Sequence, residues 1–160
     1  MYCSLAFLLP LLHLLSICTA ASLPMEVVKV KSNVKQLSEQ LLVRLKNFQF
    51  PAGRTLSPAA GDLDRLSATV MILDGYNSLI SDTLNGVSQI KADISCLTRH
   101  LDQWRQGHCN KQRPKPSVPE PLQKLQSHKD LIDTVSFEAL LRVKEILVVL
   151  LKNLDNLEIC

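Results

Sequence analysis

Aromatic side chains are scarce in this chain of 160 residues: one Trp, two Tyr and four Phe make up 4% of it. Any core must therefore be built from Leu, Val and Ile, as in packed helices, since a large β-sandwich would carry more aromatics. Also missing are a Gly-rich phosphate loop, a His-Glu-x-x-His pair and a Gly-x-Ser-x-Gly elbow, so catalysis has no recognisable starting point. No Asn-x-Ser/Thr sequon occurs. Charge of one sign is not concentrated. The formal net charge of +3 is spread along the chain apart from the short run 111–115, which reads as a solvated loop, so no nucleic-acid partner is expected.

Long apolar runs are absent after the N-terminus. Residues 146–151 are apolar but lie between Lys144-Glu145 and Lys152, far short of the roughly twenty residues a spanning helix needs. At the N-terminus, residues 1–20 hold no charged side chain, carry the apolar run 5–15 interrupted by Pro10, and close on Cys18-Thr19-Ala20-Ala21. That pattern reads as a secretory signal peptide rather than an anchor, and predicts a secreted mature chain, 21–160, without membrane insertion. Its length suits one domain with one core. Export removes Cys3 and Cys18 and leaves Cys96, Cys109 and Cys160 in an oxidising compartment. Three is odd, so one thiol is expected to stay unpaired within the molecule.

What is present is helical periodicity. Val27, Val30, Val34, Leu37, Leu41, Leu45 and Phe48 lay one stripe along a first helix, with Pro24 suited to its first turn and Pro51 and Gly53 ending it. Residues 50–61 then form a crossover loop. A second helix is predicted from about Asp62, with Leu63, Leu66, Val70, Leu73 and Ile80 on one side and Gly75 as a local weakness. The register breaks at Asn85-Gly86. Val87, Ile90, Ile94, Leu97, Leu101 and Trp104 mark a third helix ended by Gly107. Pro114, Pro116, Pro119 and Pro121 make 110–121 a long extended connection. Leu122, Leu125 and Ile132 suggest a short amphipathic turn before a fourth helix. That helix is predicted to begin near Ser136, as N-cap, with Glu138 in its first turn, and its stretch 146–151 is apolar all round, as expected of the most buried helix in a bundle.

Loop length selects among wirings. The short second connection makes the second and third helices antiparallel neighbours, whereas a dozen residues can reach roughly 40 Å, enough to return along a whole helix and make the first two parallel. If Cys109 is bridged to Cys160, the ends of the third and fourth helices share a pole, because Cα atoms of a disulfide lie within about 7 Å. Pairing of Cys96 with Cys109 is the alternative, disfavoured because Cys96 sits well inside the third helix. The expected fold is all-α, an up-up-down-down four-helix bundle with two long crossover loops.

Metal and acid/base chemistry are not expected. Cys96 with His100, and His108 beside Cys109, fall short of structural zinc spacing, while Asp62 with Asp64 and Glu26 with Glu39 read as solvated positions, so neither cofactor nor metal is assigned. Function is left to surface. Lys29, Asn33, Gln36, Gln40 and Arg44 line one flank of the first helix, and Gln89, Asp93, Cys96 and His100 one flank of the third. If those helices are adjacent, the flanks merge into one polar patch.

The stretch Tyr76-Asn77-Ser78-Leu79-Ile80 through Val87-Ser88-Gln89-Ile90, on to Asp93-Ile94, Leu97, Leu101 and Cys109, resembles the leptin family, as do 27–45 and the end from Leu154-Asp155 to Cys160. Residues 102–109 resemble its bony-fish members in particular. This resemblance implies a four-helix cytokine domain over 21–160 and a monomeric hormone of energy balance and appetite, whose partner is the leptin receptor, a single-pass class I cytokine receptor. It implies a main receptor face at Lys29, Arg44, Gln89 and Asp93, and a second at the start of the fourth helix, where Ser136 matches. Phe137 departs from the family's threonine, and the family's Gly-Leu-Asp-Phe loop motif is not found. A disulfide from a terminal cysteine to one after the third helix also fits the family. Two other readings share parts of this pattern: a growth-hormone or interleukin-6 type cytokine, and a secreted lipid-binding protein with open helices.

Overall fold

A computed structural model describes residues 27–53, 63, 65–109 and 115–157. Among them there are five helices and no strand: α1 Val27–Asn47, α2 Leu66–Leu79, α3 Val87–His108, α4 Glu120–Ser127 and α5 Ile132–Asn153. The four long helices pack in a cycle, α1 against α3 and α5, α2 against α3 and α5, while α4 lies on α2. The protein is thus an all-α helical bundle. Its stripes close on one another in a single core that includes Val34, Leu41 and Leu45 of α1, Leu66 and Leu73 of α2, Ile94, Leu97 and Leu101 of α3, and Leu140, Leu147 and Leu150 of α5. Open helices presenting those stripes to lipid are not what is found. No helix among the described residues is long and apolar enough to cross a membrane.

Contacts at the helix ends fix which pole each occupies. Lys31, at the start of α1, pairs with Asp155 just beyond α5. After the end of α1, Phe48 packs edge-on to Phe50 at 5.1 Å and lies 6.3 Å from Phe137, in the second turn of α5. Arg44 near the end of α1 reaches Asp93 near the start of α3. Between α2 and α3 the chain turns at Gly86, whose φ of +80° is left-handed and costs a glycine little.

The far end of α2 is held by three side chains from two other helices. Lys91 of α3 donates to the Ile80 carbonyl at 2.8 Å and to Asp82 at 2.7 Å. Ser136 of α5 donates to the Leu79 carbonyl at 3.3 Å and accepts the Ser81 N–H at 2.9 Å. One turn back, the Asn77 amide donates to Ser95 at 2.9 Å. Carbonyls that would lack partners at a helix end are thereby satisfied.

Several expectations need correction. Ser136 is not an N-cap: α5 begins four residues earlier, at Ile132, and Ser136 is an interior position with 0% exposure. The stretch 146–151 is not enclosed all round, since Val148 is 51% exposed while Ile146, Leu147 and Leu150 are buried. Gly107 does not end α3, which runs to His108, whose ring Nδ1 lies 2.9 Å from the Trp104 carbonyl in the last turn. Regular helix begins within the proline-rich connection, because Pro121 occupies the first turn of α4, where a missing N–H costs nothing. The short turn expected at Leu122 and Leu125 is α4 itself, and Ile132 belongs to α5. The second helix starts at Leu66 after an extended Arg65; Leu63 is buried outside it. Pro24, Asp62, most of the 50–61 loop, the signal segment and Cys160 lie outside the described residues.

Candidate functional surface

The polar flank of α1 is exposed at Lys29, Gln36, Gln40 and Arg44, as spacings of three and four require. On the neighbouring α3, Asp93 is the hub. Its Oδ2 accepts from Arg44 Nε at 2.8 Å and its Oδ1 from Gln89 Nε2 at 2.7 Å. The Arg44 side chain is 52% exposed and Asp93 21%, so the pair sits at a rim and joins two helices while remaining readable from outside. Its own contribution to stability is small, about 0–1 kcal/mol, as for surface ion pairs generally.

Three of the sequence-derived face residues, Arg44, Gln89 and Asp93, are therefore brought together. Lys29 is not among them: fifteen residues before Arg44 on the same helix, it lies about 22 Å away along the axis. Cys96 and His100 do not extend the patch, being buried at 4% and 3% exposure. The His100 ring Nδ1 lies 2.9 Å from the Cys96 carbonyl and 3.9 Å from its sulfur. Cys96 lies inside α3 and Cys109 just past its end, thirteen residues and about 20 Å of rise apart, beyond the reach of a mutual disulfide. Neither is without a partner. No cluster of three or more His, Cys, Asp or Glu able to hold a metal occurs among the described residues.

Sequence reasoning missed Val43, which is 56% exposed beside Arg44 and gives the α1 flank an apolar spot. Its sign was available: Val43 falls off the three-and-four stripe that is buried. A second surface lies at the opposite end of α5 from Asp155. There Leu131 and Ile132 are 58% and 56% exposed and line a shallow depression with Thr83, Asp130, Asp133 and Thr134. Ser136, expected to contact a receptor at this end, is enclosed and offers no surface of its own.

At the other pole, the Lys31 hydrogen bond, and then its charge, hold the Asp155 carboxyl below its ordinary pKa. Within the bundle, burial pushes the Tyr76 phenol up; the Arg142 charge opposes that rise, and Glu138 and Glu145 add to it.

The fold and the flank define an all-α helical bundle with a polar surface patch across α1 and α3, an arrangement compatible with a protein read by its faces. The chain is 44% identical over 159 residues to the leptin of Tetraodon nigroviridis, spanning 98% of each, and 42% identical over 159 residues to the leptin of Takifugu rubripes, spanning 98% and 97%. No protein-family model matches, and neither does any solved structure. The chain belongs to the leptin family, of bony-fish type, and is a hormone rather than an enzyme. That membership removes the growth-hormone and interleukin-6 alternatives.

Proposed function

We propose that this leptin-like hormone is secreted after removal of residues 1–20, folds over 21–160 as a monomer, and binds the ectodomain of a leptin receptor of the single-pass class I type to regulate appetite and energy balance. The bundle is wired up-up-down-down with two long crossovers. Supporting that wiring, Lys31–Asp155 and Phe48–Phe137 set α1 antiparallel to α5, Arg44–Asp93 sets it antiparallel to α3, and Ser81–Ser136 sets α2 antiparallel to α5. The ends of α3 and α5 then share a pole, which is what a Cys109 to Cys160 disulfide requires.

The main receptor face comprises Lys29, Arg44, Gln89 and Asp93, and the observation that carries it is the Gln89–Asp93–Arg44 chain joining α1 to α3. A second face is formed by the start of α5, through Leu131 and Ile132, with Ser136 supporting it from within. The test is the charge swap Arg44→Glu with Asp93→Arg. It keeps an opposite pair across the two helices, so helical circular dichroism should be unchanged, while affinity for the receptor ectodomain should fall at least tenfold. Unaltered affinity would reject the α1/α3 face.

A further inference from the structure

The short helix α4 is joined to the bundle differently from its four neighbours. It has eight residues, below the roughly twelve to fifteen at which an isolated helix becomes even marginally stable in water, so its helicity depends on docking. Its one buried side chain is Leu122, at 1% exposure; Leu125 packs half-buried against the core, while Gln123, Lys124 and Ser127 face solvent. Side-chain hydrogen bonds from Gln123, Ser127 and His128 run to Val118 and Lys124, inside the segment itself.

Leu122 enters a notch in α2 made by the absence of one atom. A Cβ placed on Gly75 would stand 2.5 Å from Leu122 Cδ2, closer than atoms tolerate. Gly75 is costly in the middle of a helix, by roughly 1 kcal/mol relative to Ala, and this close approach gives it a physical reason. Beneath the segment, Leu63, Ile72, Tyr76, Ile146 and Val149 line an apolar groove between α2 and α5 that Pro119 and Pro121 roof.

We propose that α4 is a strap that docks and undocks as a unit on the α2–α5 groove, with Leu122 as its catch and Gly75 as the notch receiving it. One enclosed leucine with a half-buried second is a small attachment beside the shared core of the long helices. The open form is therefore populated at about the one per cent level, and opening does not require unfolding of the bundle.

Native-state hydrogen exchange on the mature, oxidised protein tests this. Amides of α4 should show protection of about 10², unchanged by low urea, whereas core amides of α2, α3 and α5 should show at least 10⁴ and lose protection steeply with urea. Leu122→Ala should cut α4 protection at least tenfold while thermal unfolding stays cooperative. Gly75→Leu, which fills the notch from the α2 side, should do the same. Exchange of α4 along the same urea-dependent isotherm as the core would overturn the proposal, and this is read on the unmodified protein even if a variant fails to fold. Undiminished α4 protection in both variants would overturn it equally. Receptor binding enters none of these readouts.

Discussion

Substitution of Ser136 by Asp separates two physical roles that a serine near the start of a helix can play. As an N-cap, Asp serves as well as Ser, and its charge favours the helix N-terminus, so the change would be neutral or slightly stabilising. As found, Ser136 lies four residues inside α5, has no exposure, and links the Leu79 carbonyl to the Ser81 N–H. A carboxylate there could still accept from Ser81, but it would face the Leu79 carbonyl with no donor and would be buried without a counter-charge. The expected cost is at least about 3 kcal/mol. Ser136→Ala should lose less, about 1–2 kcal/mol, because the unsatisfied Ser81 N–H and Leu79 carbonyl are offset by roughly half a kcal/mol of helix propensity. For a domain of this size, about 3 °C per kcal/mol translates these into melting-temperature falls of roughly 9 °C or more for Asp and roughly 3–6 °C for Ala. Thermal unfolding followed by circular dichroism at 222 nm, backed by urea midpoints, reads both. An Asp variant as stable as the parent would refute the enclosed-clamp account and restore the capping role.

Other consequences can be measured in parallel. With residues 1–20 removed, Tyr76 is the remaining tyrosine, so ultraviolet titration reads it alone. Its midpoint should exceed 10 in the folded protein and return to about 10 in denaturant. The folded state then holds its phenolic proton more tightly than the unfolded state, so stability is intact below pH 10 and declines as pH rises from there through the folded midpoint. A folded midpoint at or below 10 would contradict the burial argument. Breaking the proposed bridge by Cys160→Ser should lower stability by about 4 kcal/mol, the chain-entropy value for a loop of some fifty residues, and an unshifted denaturant midpoint would argue that Cys109 is bonded elsewhere. In the apolar run of α5, Val148→Ser should change stability by no more than about 0.5 kcal/mol, whereas Leu147→Ala should cost about 2–5 kcal/mol; equal effects would mean that the run has no outer side.

The helices that periodicity located best are those whose partners all lie on one side. For α1 and α3, Val30, Val34, Leu41 and Leu45 of one stripe and Val87, Ile90, Ile94, Leu97, Leu101 and Trp104 of the other are all buried, with Ser38, Cys96, Thr98 and His100 enclosed beside them. The start of α5 was misplaced for a definable reason. A polar residue followed by an acidic one imitates a cap, and the groups that make Ser136 a core residue belong to Leu79 and Ser81, more than fifty positions away in the chain. No local pattern carries that information. Ile132 misled in the opposite sense, since its apolar character and spacing suggest the inner side of an amphipathic turn where the structure leaves it open. On the candidate surface, Arg44, Gln89 and Asp93 were legible as flank positions, but only the α1–α3 packing brings them within hydrogen-bond distance. Lys29 shares the flank and not the cluster, because helical spacing gives direction around an axis and says nothing of what stands opposite.

Because Arg44 and Asp93 already hold each other, the patch they form presents a local dipole with little net field beyond a Debye length. An approaching receptor would be oriented at contact and hardly drawn from afar. Association should then run at the 10⁵–10⁷ M⁻¹s⁻¹ of unsteered encounters and respond weakly to ionic strength, with selectivity residing in how long the complex lasts.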